Sequence, residues 1–248
     1  MSSLQFPRNE CGEILDKLIP VFKKNKIRFA GIYLLLVIYF SIPGLQVPFL
    51  SYNHFRVTSL MEQRALEQGL NYYPEQSWVN IDNVNPTLLK AIISMEDGNF
   101  FNHRGIDWKE LDKSIIKNKR KGKVVRGAST ITMQTAKNLY LTTSRNFLRK
   151  AKEILISFRM EKEISKKTIL QAYINAVEWG YGIFGIKEAS KVYFKTEPLK
   201  LTLNQCARLT AVIPSPLKHQ PNINSPYVLR RTALILDRLN DVILFPGS

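Results

Sequence analysis

Three stretches of this 248-residue chain carry side chains whose types and spacing could do chemistry. The first, SMEDGNFFNHRGID (residues 94–107), sets Glu96 and Asp97 before Phe100 and His103. The apolar spacing ahead of it places Glu96 at the C-terminal end of an amphipathic helix, where the negative end of the helix dipole raises a carboxyl pKa. Shielding by Phe100 or Phe101 raises it further, which makes Glu96 a candidate proton acceptor near neutral pH. A solvated acidic helix end is the plainer alternative. The second stretch, RGASTITMQTAKNLYL (126–141), has Gly127, Ser129 and Thr130 at a helix start, with Gln134 and Lys137 beyond. Hydroxyls and free N–H groups at a helix N-terminus can hold an anion. An ordinary Ser/Thr cap after a glycine turn is the simpler reading. The third is a helix expected to open at Ser144, with Phe147, Leu148, Ala151, Ile154, Leu155 and Phe158 on one side. Arg145, Arg149 and Glu153 fall on the other side, with Lys152 near them. Such a row is either a solvated face, with ion pairs of about 0.2–0.5 kcal/mol each, or a phosphate clamp. In the clamp the carboxylate orients the guanidiniums or shares a metal ion.

The elements that must position these residues read as helices. Asn85-Pro86 is a cap and first-turn pair, followed by Leu88, Leu89, Ile92 and Ile93 at helical spacing. Ser165 opens another helix, with Ile169, Leu170, Tyr173, Ile174 and Val177 along it. Thr202 with Gln205 spells a capping box before an apolar run that stops at Pro214-Ser215-Pro216, and Ser225-Pro226 starts the last helix. Residues 51–85 are ambiguous and could hold a short strand or two. The expected domain is single and mainly α-helical.

Composition sets the outer limits. With 45% hydrophobic residues the chain is not dominated by disorder. Two cysteines and three histidines, none in an HExxH pattern, exclude a disulfide scaffold and make a zinc hydrolase a poor fit. A net charge of +16 asks for an anionic partner. Phe29 to Leu50 runs without a charge, about the length of a membrane-spanning helix, with Pro43, Gly44 and Pro48 toward its end. Lys23, Lys24, Lys26 and Arg28 precede it, and positive-inside logic leaves the N-terminus in the cytoplasm. The expected organisation is therefore a cytoplasmic segment 1–28, an uncleaved signal-anchor 29–50 and an extracytoplasmic domain 51–248. A basic domain on an outer membrane face meets anionic lipid or a lipid-linked phosphate, and not nucleic acid. Cys11 and Cys206 would lie on opposite sides of the bilayer, with Cys206 a small core residue.

Taken in order, the chemical stretches resemble the motifs of the biosynthetic peptidoglycan glycosyltransferases. Glu96, Asp97, Phe100, His103 and Gly105 look like the first motif, Gly127, Ser129, Thr130, Ile131, Thr132 and Gln134 like the second, and Arg149, Lys150 and Glu153 like the third. Lys167, Ile169, Leu170, Tyr173 and Asn175 resemble the fourth, followed by the Gly-rich stretch Trp179–Gly185. The resemblance spans about residues 75 to 220 and is nearest to the monofunctional, membrane-anchored form. It departs at Met133, where the family usually has a second glutamine, and at Gln171, where it often has glutamate.

The resemblance implies a lysozyme-like α-helical domain that polymerises lipid II into β-1,4-linked glycan strands, with inversion and release of polyprenyl pyrophosphate. Glu96 would be the general base, and Glu153 with Arg145, Arg149, Lys150 and Lys137 would serve the leaving group. Asp97, Phe100, His103, Ser129, Thr130 and Gln134 complete the substrate-binding set by correspondence. A leaving group that is already anionic needs cations, with Mg²⁺ or another divalent cation as a candidate aid, more than it needs a general acid. The implied partners are lipid II, the growing strand, membrane lipid, and cell-wall synthesis or division proteins, at the cytoplasmic (inner) membrane. The alternative is a peptidoglycan-cleaving hydrolase or lytic transglycosylase using Glu96 as acid. A penicillin-binding serine transpeptidase is mimicked by Ser114-x-x-Lys117, Ser144-x-Asn146 and Lys195-Thr196. Glu197 stands where that chemistry expects glycine.

Overall fold

The computed structural model describes residues 25–40, 42–44, 46–52, 55, 57–69, 77–123, 127–144 and 146–239. The chain divides into two compact units, with the boundary after Ile42. In the first, α1 covers Lys26–Phe40 and leaves Ile32, Tyr33, Leu34 and Leu35 exposed. No helix among the described residues is long and apolar enough to cross a membrane. The 22-residue apolar run is not one helix: Pro43 and Gly44 are irregular, and Gln46–Phe49 forms a separate single turn, α2. Proline lacks the backbone donor a helix interior needs, and glycine loses the most backbone entropy on ordering. Cys11 lies outside the described residues.

The second unit is built from helices whose starts are written locally. Thr58 caps α3 (Ser59–Glu67) by accepting from the Met61 N–H. Asn85 accepts from the Thr87 N–H, and Pro86 opens α4 (Pro86–Glu96). Asp107 caps α5 (Trp108–Lys121), which Gly122 ends in the left-handed region. Next come α6 (Ile131–Tyr140), α7 (Phe147–Glu163) and α8 (Lys166–Ala176), the last capped by Ser165. After a hairpin follow α9 (Ile186–Phe194), α10 (Leu203–Val212), with the Thr202–Gln205 capping box formed, and α11 (Pro226–Arg238) behind Ser225. Helix α6 packs against α7, α8 and α3, while α10 packs against α11 and α4. Ala91, Ala207, Ala211 and Ile235 form one buried cluster where α4, α10 and α11 meet. Cys206 lies buried in the same region, as a core residue.

The ambiguous stretch 51–85 holds α3 and a 3₁₀ turn at Ile81–Asn83, with no strand among its described residues. The described sheet is instead the hairpin of β1 (Glu178–Gly180) and β2 (Ile183–Phe184). Two glycines seat it. A Cβ on Gly180 would run into the Tyr193 hydroxyl, which donates to the Trp179 carbonyl at 2.8 Å. Gly185 has φ +79, and a Cβ there would sit 3.0 Å from the Asn175 carbonyl oxygen.

Helix α7 departs from the sequence expectation twice. It starts at Phe147 and is not opened by Ser144, because the Asn146 side chain accepts from the Arg149 N–H at 2.7 Å and supplies the cap. Its faces are also reversed. Glu153 (2% exposed), Ile156, Ser157 and Met160 point inward, while Phe147 (84%) and Leu148 (63%) stand in solvent, with Leu155 and Phe158 also exposed. Periodicity reveals two stripes, and the neighbours decide which one meets the core.

Candidate active site

Glu96 ends α4, half-buried, in the wall of a cavity of about 850 Å³. Its Oε2 accepts from Gln134 Nε2 of α6 at 2.9 Å, and Gln134 Oε1 accepts from the hydroxyl of Tyr173 on α8 at 3.3 Å. Tyr173 is fully buried, so this relay sets the amide from behind. Burial pushes the Glu96 pKa up; the Gln134 hydrogen bond and the charges of Arg231 and Lys137 oppose the rise, and Asp97 adds to it. Burial also pushes Tyr173 well above the usual phenol range, with Glu96 and Asp97 adding to that, so its hydroxyl stays a donor. A carboxyl lifted in this way, facing open volume, is a stronger proton acceptor than an ordinary glutamate.

The rest of the first two motifs is spent on joining them. Asp97 is buried, and its carboxylate meets His103 Nε2 at 2.9 Å and accepts from the Ile131 N–H, the first of α6, at 2.9 Å. Thr130, also buried, accepts from the Met133 N–H at 3.2 Å and donates to the Gly105 carbonyl at 2.6 Å. The α6 N-terminus is thus already occupied by Asp97 and Thr130, which corrects the anion-site reading of that segment: the cap reading holds for Thr130. Phe100 is fully buried, with the Lys166 ammonium 4.4 Å from its ring centroid, so as placed it packs the loop. Asp97 and His103 likewise have their side chains turned into the fold. Ser129 alone of this group is exposed; it lines the Glu96 cavity and accepts from Lys150 Nζ at 3.3 Å.

The third motif is a buried carboxylate between two cations. Glu153 accepts from an Arg149 Nη1 hydrogen and, through Oε1, from Lys150 Nζ at 2.6 Å. Arg149 Nε is buried without a partner among the described residues. Lys137, one helix away, makes no hydrogen bond or ion pair among the described residues. Burial lowers its pKa; Glu153 and Glu178 raise it, while Arg149 and Lys150 lower it. Lys137 lines a second cavity, of about 340 Å³, together with Arg64, Glu178 and Lys218. Gln134 and Pro214 line both cavities, so the volume in front of Glu96 and that in front of Lys137 adjoin. Arg149, Lys150 and Glu153 line neither, and reach them through Lys137 and Ser129. Arg145 lies outside the described residues, and Lys152 is half-buried with no part in the cluster.

Sequence reasoning missed Arg231, which lines the Glu96 cavity from α11 and is steadied by its Nε donating to the Ala211 carbonyl at 3.0 Å. It also missed Arg64 and Glu178, whose fork joins residues far apart in the chain. No local spacing announces either. The residues present do not form a cage for a divalent cation: both Glu153 oxygens already accept from cations, and the described residues hold no group of three His, Cys, Asp or Glu side chains suited to one.

Comparison with known proteins agrees in extent with this constellation. A family model described as Transglycosylase matches residues 62–240. The biosynthetic peptidoglycan transglycosylase of Herminiimonas arsenicoxydans is 41% identical over 190 residues, covering 75% of this chain and 82% of that protein. The protein of the same name from Mannheimia succiniciproducens is 36% identical over 244 residues, 98% of this chain and 96% of the relative. That of Haemophilus influenzae strain Rd is 36% identical over 229 residues, 89% of each.

Proposed function

The chain belongs to the transglycosylase family and is a peptidoglycan glycosyltransferase, and from that premise we propose that it joins lipid II units into β-1,4-linked glycan strands by inverting transfer. One observation carries the mechanism: a raised, half-buried carboxyl at Glu96 stands beside a cavity whose neighbour displays a Lys137 ammonium with no partner among the described residues. The acceptor's 4-hydroxyl gives its proton to Glu96 as its oxygen bonds the anomeric carbon of the growing strand. The bond from that carbon to the pyrophosphate oxygen breaks, and the electron pair leaves with the polyprenyl pyrophosphate. Lys137 faces the charge that develops there, and Glu153 keeps Arg149 and Lys150 aligned behind it. Gln134 steadies the Glu96 carboxylate before the proton arrives.

Two limbs of pH dependence follow from the directions of the shifts. Activity rises with pH as Glu96 ionises, later than an ordinary glutamate would. It falls as Lys137 loses its proton, earlier than an ordinary lysine would. The deciding experiment gives the purified full chain, in detergent, labelled lipid II in one tube and preformed glycan in another. New polymer in the first supports the reading; cleavage of the second without polymer from the first overturns it in favour of a hydrolase.

The same proposal places the domain on the outer face of the cytoplasmic membrane, with residues 29–50 as anchor and 1–28 inside. The support is the uncharged run behind four basic residues and the exposed apolar side chains of α1. A cysteine at Ser51 should react with an impermeant reagent on intact spheroplasts; reaction only after lysis would reverse the topology.

A further inference from the structure

Glu178 is a buried carboxylate (5% exposed) with no part in the scheme above. Arg64, reaching over from α3, grips it with a fork in which Nε donates to Oε1 at 3.0 Å and Nη2 to Oε2 at 3.0 Å. The remaining nitrogen, Nη1, donates to Glu67 Oε2 at 2.7 Å. Gln63 donates to the other Glu67 oxygen at 2.6 Å, and its amide also holds Thr143 by an accepted N–H at 2.8 Å and a bond to the hydroxyl at 2.6 Å. Helix α3 is thereby tied both to the hairpin and to the segment leading into α7. Arg64 and Glu178 line the same cavity as Lys137.

Lys137 presents a physical problem. An ammonium that is half out of water, with no hydrogen-bond partner among the described residues, is held in its charged form only by surrounding charge. The groups that face it are Arg149, Lys150 and Glu153 from α7, Glu178 from the hairpin with Arg64 and Glu67 of α3 behind it, Lys218 from the loop after α10, and Glu96 at the end of α4, whose charge is lost when it takes the acceptor's proton. Tyr173 of α8 faces Glu96 and Asp97 instead. Counting charges, the Arg149–Lys150–Glu153 cluster is net positive by one, so it cannot be Lys137's counter-charge. The Arg64–Glu178–Glu67 triplet is net negative by one.

Resting on the transfer reaction above, we propose that Glu178, held by Arg64, is a positioning residue: its triplet is the counter-charge that keeps the Lys137 ammonium charged and set toward the anionic leaving group across the cavity. Glu178 touches no reacting atom. It acts through Lys137, and the opposing positive cluster keeps the ammonium from collapsing onto Glu153.

The test uses the full chain with lysine side chains isotopically labelled, so that the Lys137 titration is read directly by NMR, alongside the pH profile of lipid II polymerisation. Glu178→Gln keeps the shape and part of the fork; Glu178→Asp keeps the charge. The expected result is that Lys137 titrates at lower pH in Glu178→Gln and close to wild type in Glu178→Asp. The alkaline limb of activity should follow it, with about a tenfold loss of rate on the alkaline side where the wild type still works. In a Lys137→Arg background, whose guanidinium does not titrate, Glu178→Gln should leave the alkaline limb unmoved. An unmoved Lys137 titration in a folded Glu178→Gln protein overturns the proposal, and so does an alkaline limb that shifts equally in the Lys137→Arg background. A displaced Lys137 titration in a protein that never polymerises lipid II supports the charge arrangement and removes the transfer reading instead.

Discussion

Tyr173→Phe isolates one hydroxyl behind the proposed base. The ring is fully buried and stays in place, so no cavity opens and the change is confined to the O–H that donates to Gln134 Oε1 at 3.3 Å. That oxygen loses its partner, which costs about 1 kcal/mol and lowers Tm by roughly 2–4 °C in a chain of this size. The larger consequence falls on the site. With the hydroxyl gone, nothing behind the amide distinguishes its oxygen from its nitrogen, and a turned-over Gln134 would present Oε1 to the Glu96 carboxylate that Nε2 now serves at 2.9 Å. Any such population withdraws stabilisation from the ionised form, so the Glu96 pKa rises beyond its already raised value. A loss of about 0.7–1.4 kcal/mol, a fraction of a charge-assisted hydrogen bond, corresponds to a roughly 3–10-fold fall in kcat/KM along the acid limb, where Glu96 is mostly protonated. The assay is initial polymerisation rate against pH, with thermal melts in the same buffers. The acid limb should move to higher pH while the rate at its alkaline end recovers. A uniform fall at every pH, or an unmoved acid limb in a less stable protein, would refute the relay and leave Tyr173 a packing residue.

Glu96→Gln should cut turnover by about 10²–10⁴-fold while the protein still binds donor analogues. Because the folded pKa of Glu96 lies above its unfolded value, the folded state holds an extra proton between the two, and wild-type stability declines as pH rises through that window. Glu96→Gln should therefore melt higher than wild type once pH exceeds the window, which parallel melting scans from acid to alkaline pH would check. Asp97→Asn weakens the charged link between the Glu96 loop and the first N–H of α6, and should cost about 1.5–3 kcal/mol by denaturant titration. Glu153→Gln leaves Arg149 without its buried counter-ion, costing about 3 kcal/mol, the low end for a broken buried pair because Lys150 is the more exposed partner. It should also weaken binding of pyrophosphate-containing donor analogues, measured by calorimetry; unchanged affinity would detach the cluster from the leaving group.

What the sequence determined by itself is what rests on neighbours within a turn or two. Asn85-Pro86, Ser165, Thr202 with Gln205, and Ser225-Pro226 open helices as their spacing requires, because a cap satisfies N–H groups two or three residues on. Glu96 at a helix end and the order of the motif residues were legible for the same reason. Ser144 was displaced as a cap by Asn146, a choice between two competent side chains that local pattern does not rank. The tertiary structure alone decided which stripe of α7 went inside: with α6 and α8 packed against the helix, Glu153 is buried beside Arg149 and Lys150 of its own helix, and Phe147, Leu148, Leu155 and Phe158 are left exposed. It alone brought Asp97 to the start of α6, and Arg64 to Glu178 over 114 residues of chain. Pairings of that kind depend on how the helices stack in space. A buried carboxylate must find a cation wherever the packing supplies one, and nothing within a helical turn of Glu178 or Arg231 encodes where that will be.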